Sequence, residues 1–186
     1  MTAAPAFAVV GPSGAGKDSV IAGVAAARPD LLVVRRVVTR PADPTEPFQP
    51  SDPQDFARRR AAGEFVLHWD AHGLNYGIPA NARAAQLAGR PILFNGSRGA
   101  LAQAARVLAP LSVIVLDADP AVLAARLAAR GREDGPAIAA RLGQAGLALP
   151  DLPGVPVHRL DNSGALDDTV AALLALLPPI QTTGAS

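Results

Sequence analysis

Ala6-Phe7-Ala8-Val9-Val10, running into Gly11-Pro12-Ser13-Gly14-Ala15-Gly16-Lys17-Asp18-Ser19, is the stretch on which the reading of this fold turns. Five apolar residues have the length and branching of a buried strand. The next seven fit G-x-x-x-x-G-K, and an Ala/Val helical pattern follows from Lys17 to Ala27. In a strand–loop–helix setting the glycines let successive backbone N–H groups turn inward into an anion nest. The helix N-terminus adds its dipole. Lys17 is the single lysine of the chain, against 16 arginines. A compact ammonium on a flexible stem can follow a moving phosphoryl group, whereas a planar guanidinium prefers fixed bidentate partners. The loop therefore points to phosphoryl binding and transfer.

The position after Lys17 departs from the Ser or Thr that the motif places there. Asp18 is a hard-cation ligand, and Mg²⁺ or its water would have to stand between that carboxylate and phosphate oxygens. Two readings follow. Either Asp18 holds the metal, or Ser19 does so while Asp18 favours the helix N-terminus.

Outward from the loop, short β-branched runs alternate with helical patterns. Strands are expected at Leu31–Val38, Pro91–Asn95, Leu111–Leu116 and Val155–Leu160. Helices are expected at Pro79–Ala88, Arg98–Leu108, Asp119-Pro120 to Arg130 and Pro136–Gly146, and from a Ser163 cap to Leu177. This β-then-α order specifies an α/β fold, a mostly parallel sheet with helices on both faces in three layers. Ligands of such sheets sit at the carboxyl ends of the strands. The Pro- and acid-rich segment from 39 to 79, with a helix at Pro53–Ala62 and a hairpin turning at His72-Gly73, interrupts the alternation. It is expected to be an acceptor-binding insertion within one domain spanning 1–180, with a disordered tail at 181–186.

Composition excludes several classes. Seventeen Lys and Arg against 16 Asp and Glu leave a net charge of +1, so no global field draws nucleic acid or an anionic membrane. There is no Cys, hence no disulfide framework, thiolate metal site or cysteine nucleophile. The longest later apolar runs fall far below the ~20 residues that span a bilayer. Lacking an export signal, the chain is expected to be cytoplasmic. Nothing in the pattern specifies an oligomeric state.

The loop at Gly11–Lys17, Thr39-Arg40-Pro41 and the turn Gly73-Leu74-Asn75-Tyr76-Gly77 together resemble the guanylate kinase-like P-loop kinases. Lys17-Asp18-Ser19, Val38-Thr39-Arg40, Asn95-Gly96-Ser97-Arg98 and Arg130-Gly131-Arg132-Glu133 resemble the branch that acts on ribose 1,5-bisphosphate. The resemblance covers nearly the whole chain. It implies ATP with Mg²⁺ as cofactors, a small sugar bisphosphate as partner, and phosphoribosyl diphosphate as product. Guanylate kinases place a Glu two residues after a Phe in this hairpin to read guanine, and here Leu67 stands there. They also carry an acidic strand end where this chain has Asn95 and then Ser97-Arg98. Losing carboxylates and gaining a guanidinium suits an acceptor with two phosphates and no base.

Under that resemblance Gly11 to Ser19 bind the nucleotide, and Arg36, Thr39, Arg40, Tyr76, Asn95, Ser97 and Arg98 bind the acceptor. Arg130, Arg132 and Arg141 form a lid over 130–141 that closes on the transferred group and excludes water. Arg126 reads as a helix-face residue, Arg58-Arg59-Arg60 as solvated surface and Trp69 as core. His68, His72 and His158 lack metal-ligand spacing. Asp161-Asn162-Ser163 has two readings, an adenine border or a helix-capping turn. A nucleoside monophosphate kinase, or a non-catalytic module of the same fold, are the competing functions.

Overall fold

The computed structural model describes residues 3–43, 46–129 and 148–179. Five strands form one all-parallel sheet: β1 (Ala6–Val10), β2 (Leu32–Val34), β7 (Ile92–Asn95), β8 (Leu111–Asp117) and β9 (Val157–Asp161). Their order is β2-β7-β1-β8-β9, which places β1 at the centre. A strand covered on both faces needs apolar residues at every position rather than at alternate ones. β1 meets that demand, with all five residues buried.

Its side chains alternate between two cores. Ala6, Ala8 and Val10 join Ile92, Phe94, Val113 and Val115 on one face, closed by Ala82 of α3 (Asn81–Leu87) and by Leu101 and Ala104 of α4 (Leu101–Val107). Phe7 and Val9 join Leu93, Ile114 and Leu116 on the other. That face is closed by Val20 and Val24 of α1 (Lys17–Ala27), Leu123 of α5 (Pro120–Ala129) and Leu173 of α6 (Leu166–Leu176). The fold is thus the expected three-layer α/β arrangement. No helix among the described residues is long and apolar enough to cross a membrane.

The apolar run Leu31–Val38, expected as one strand, divides. β2 stays beside β7, while β3 (Val37–Val38) enters a second sheet of order β4-β3-β6-β5. Its other members are β4 (Gln49–Pro50), β5 (Phe65–Ala71) and β6 (Leu74–Pro79). The break falls at Arg35-Arg36, where two long cations cannot be buried on both faces of a parallel sheet. In the β5–β6 hairpin Ala71 pairs with Leu74, leaving a two-residue turn. His72 at φ 53 and Gly73 at φ 72 supply the two positive dihedrals that a type I′ turn requires. Asp52 caps α2 (Pro53–Ala61) by accepting from Asp55 N at 2.8 Å, and Pro53 takes the first helical position.

At the start of α5, Asp119 acts as the expected cap, accepting from Ala121 N at 2.8 Å. Ser163 does not cap α6, whose flanking residue Ala165 makes no side-chain cap. Its hydroxyl is engaged elsewhere: it donates to Asp161 Oδ1 and accepts from Asp119 N at 2.8 Å, tying the end of β9 to the start of α5. The expected helix Pro136–Gly146, the lid at 130–141 with Arg130, Arg132 and Arg141, and the tail at 181–186 lie outside the described residues.

Candidate active site

A cleft of about 490 Å³ runs from the glycine-rich loop to the second sheet, at the carboxyl ends of β1 and β7. Its loop side is built by close approach. A Cβ on Gly11 would lie 2.0 Å from the carbonyl oxygen of Leu116, so only glycine lets β1 turn beside β8 there. Gly16 has φ 85, and a Cβ would lie 2.5 Å from Asn162 Nδ2. Lys17 Nζ donates to the carbonyls of Gly11 at 2.9 Å and Pro12 at 2.8 Å, which curls the ammonium over its own loop. Gly11, Pro12, Ser13, Gly14, Gly16, Lys17 and Asp18 all line the cleft. Ala15 is buried beneath them, and Ser19 is exposed away from the cleft.

Asp18, in the first turn of α1, accepts from Asn95 Nδ2 at 2.8 Å. A residue of the nucleotide loop is thereby joined to the end of β7, where Ser97 and Arg98 also line the cleft. Opposite stand Arg36 and Arg40, flanking β3, and Tyr76 of β6. Burial pushes the Arg36 guanidinium below its ordinary value. Asp18, Tyr76 and Glu46 oppose that shift, and Arg40 adds to it. The Arg36 guanidinium lies 5.7 Å from the Tyr76 ring centroid and makes no side-chain hydrogen bond among the described residues, while its carbonyl accepts from Gln49 N at 2.8 Å. Tyr76 in turn stacks on Trp69 at 5.4 Å with the rings 3° from parallel.

Arg40 sits 4.4 Å over the Phe48 ring, and its Nη2 donates to Glu46 Oε2 at 2.5 Å. Its Nε is buried with no acceptor among the described residues. Thr39 does not line the cleft. Its hydroxyl accepts from Asn75 N at 2.8 Å and pins the end of β3 to β6, so it sets the backbone from which Arg40 projects. Lys17, Arg36, Arg40 and Arg98 face Asp18 and Glu46, giving the lining an excess of positive charge. The arrangement can bind an anion at the loop and a second anion at the arginines, in one continuous space.

Other residues differ from expectation. Leu67 is 1% exposed and packed in the core rather than lining the cleft, so the position where guanylate kinases place a base-reading carboxylate holds a buried apolar side chain. Trp69, expected in the core, packs against the core's edge and is half-buried, and it also lines the cleft, where it stacks on Tyr76. Arg126 is more than a helix-face residue: its Nη2 donates to the carbonyl of Asn162 at 2.8 Å. Asn162, 2% exposed, donates through Nδ2 to Ala15 O at 2.8 Å and so braces the loop from below. Of the three consecutive arginines, Arg58 and Arg60 are exposed as expected. Arg59 folds onto Glu64 at 2.9 Å and over the Phe65 ring at 5.1 Å.

A nucleotide-type loop at the head of a parallel sheet, opening on a cationic acceptor cleft, defines a P-loop kinase. A family model described as an AAA domain matches residues 7–148. Among solved structures, guanylate kinase from Anaplasma phagocytophilum superposes with a TM-score of 0.68 at 16% identity, covering 94% of this chain and 85% of that one. Among curated relatives, ribose 1,5-bisphosphate phosphokinase PhnN of Ruegeria sp. (strain TM1040) is 46% identical over 175 residues, 93% of this chain and 91% of the relative. The PhnN protein of Pseudomonas paraeruginosa (strain DSM 24068 / PA7) is 45% identical over 174 residues, 91% and 92% of the two chains. This chain belongs to the ribose 1,5-bisphosphate phosphokinase family.

Proposed function

We propose that this chain is an ATP-dependent phosphotransferase that converts ribose 1,5-bisphosphate to 5-phosphoribosyl 1-diphosphate. The observation that carries the reading is the condition of two arginines on the acceptor side. Arg36 is half-buried in the cleft lining with no hydrogen-bond partner for its guanidinium among the described residues, and Arg40 keeps a buried Nε without an acceptor among them. Desolvated guanidinium groups are stabilised by oxyanions that accept from them, and a sugar bisphosphate brings two phosphates. Glu46, on Arg40, stands where such an oxyanion would take over.

Phosphoryl transfer here is a matter of position and charge. The γ-phosphorus of ATP forms a bond to an oxygen of the C1 phosphate while its bond to the bridging oxygen of ADP breaks. That attacking oxygen is already ionised at neutral pH, so no strong general base is needed. The loop N–H groups and Lys17 hold the donor phosphates, and Arg36, Arg40 and Arg98 hold the acceptor. Tyr76 shapes the acceptor wall through its stack on Trp69. Arg130, Arg132 and Arg141 take the role of cations that close on the transferred group.

The donor set also fits Mg²⁺. No cluster of three or more His, Asp or Glu among the described residues could cage a metal. A lone carboxylate beside a phosphate loop suits a cation brought in largely on nucleotide oxygens. Asp18, lining the cleft, is the residue to hold it, in preference to the exposed Ser19. When bound, the ion supplies neutralisation of charge between the phosphates.

A coupled ATP-consumption assay with ribose 1,5-bisphosphate and with GMP tests the reading. Turnover with the sugar bisphosphate and none with GMP is expected. Turnover with GMP alone assigns a nucleoside monophosphate kinase, and no turnover with either assigns a non-catalytic module.

A further inference from the structure

Asn95 is 6% exposed, stands at the carboxyl end of β7, and lines the cleft. Its amide has two faces with different fates. Nδ2 donates to Asp18 Oδ1 at 2.8 Å, and a carboxylate can only accept, so the amide cannot be turned the other way. Oδ1 is therefore committed to the remaining side, where it is buried with no donor among the described residues. A buried amide oxygen left without a donor is costly, so a donor is expected to arrive with a ligand.

The donor's chemistry can be narrowed. Phosphate oxygens of the nucleotide or the acceptor carry no proton to give at neutral pH, and would be repelled by Oδ1. What a sugar bisphosphate does offer is hydroxyl groups. Asn95 touches Asp18, which directly follows Lys17, so its amide lies at the end of the cleft where the phosphoryl group moves. The hydroxyl nearest a reacting C1 phosphate is the one on C2.

Building on the function proposed above, we infer that Asn95 Oδ1 accepts the C2 hydroxyl of the acceptor pentose and makes the site selective for ribose over 2-deoxyribose. The same amide then couples acceptor recognition to the placement of Asp18. A site that hydrogen-bonds a substrate hydroxyl discriminates strongly against the analogue lacking it, because its own polar group is then left unpaired.

The test compares kcat/KM for ribose 1,5-bisphosphate and 2-deoxyribose 1,5-bisphosphate with saturating ATP, in the native protein and in Asn95→Ala and Asn95→Ser. The native protein should prefer the ribose compound by on the order of 10²-fold, the cost of one buried acceptor left unpaired. Both variants should bring the ratio to within about threefold, whatever their absolute rates. The ratio cancels losses shared by both substrates, and two small replacements guard against one failing to fold. A native ratio near one overturns the inference without recourse to a variant. A ratio that persists in either variant also overturns it, and a changed Mg²⁺ requirement alongside would assign Oδ1 to a metal-bound water. If the native protein turns over neither sugar while phosphorylating GMP, it is the proposed function that has failed.

Discussion

Lys17 curls onto the carbonyls of Gly11 and Pro12, so its ammonium is held where phosphate oxygens would replace those carbonyls. No other lysine exists in the chain, and across the cleft Arg40 is fixed over the Phe48 ring and on Glu46. Lys17→Ala should lower kcat by about 10²–10³-fold, the usual loss of a group that stabilises transition-state charge. Lys17→Arg should stay at least about tenfold impaired, because a planar fork cannot curl into the same turn. Steady-state kinetics on both variants checks this. Arg36→Ala should act differently, raising KM for the acceptor by about 10–100-fold through the loss of charged hydrogen bonds, with KM for ATP little changed. A shift in the ATP constant instead would move Arg36 to the donor side. The loop and Lys17 were legible in the sequence because their chemistry is local. Asn162 was not: its hold on Ala15 joins residues far apart in the chain, and no local pattern marks it.

At the scale of elements, the divided run Leu31–Val38 teaches most. A β-branched stretch announces a strand but not the sheet it joins, and the two arginines at its middle were the only local sign of the switch. Just before this run, the end of α1 is pinned by Arg28, which donates through Nε and Nη2 to both oxygens of Asp30 at 2.8 and 2.7 Å. The hydrogen bond from Arg28 is the main cause that holds the Asp30 carboxyl below its ordinary 3.8. A depressed carboxylate stabilises the fold fully above its unfolded value and loses that contribution as pH falls through the folded one. Asp30→Asn should therefore cost about 1 kcal/mol at pH 7, and the gap to the native protein should close on acidification below 3.8. Urea melts across that range measure it. In the hairpin, a Cβ on Gly77 would lie 2.6 Å from Phe65 Cδ1, and Phe65 is held by its stack on Phe56 at 4.6 Å. Gly77→Ala should cost about 1–3 kcal/mol by overpacking, visible as a Tm lowered by several degrees.

Across the whole molecule, the parallel sheet carries the nucleotide loop at the strand ends while the second sheet brings its cations to the same cleft. Alternating β and α patterns made the first sheet legible, since periodicity records burial. Of the cleft wall opposite the loop, Arg36 was legible from its place two residues before Val38, and Arg40, Tyr76 and Asn95-Gly96-Ser97-Arg98 from their motifs. Trp69 and Glu46 were missed because they enter the cleft through tertiary packing alone. Leu67 was recognised as non-polar, but its burial in the core away from the cleft lining follows from three-dimensional packing. In the function proposed above, the lysine at the loop and the arginines opposite it serve one event, transfer of the γ-phosphoryl group of ATP to the C1 phosphate of ribose 1,5-bisphosphate. Phosphorus NMR of the purified chain with MgATP and ribose 1,5-bisphosphate tests it most directly. A new pair of coupled diphosphate resonances on C1, an unchanged C5 monophosphate and stoichiometric ADP are expected. Release of inorganic phosphate with no sugar diphosphate formed would contradict it.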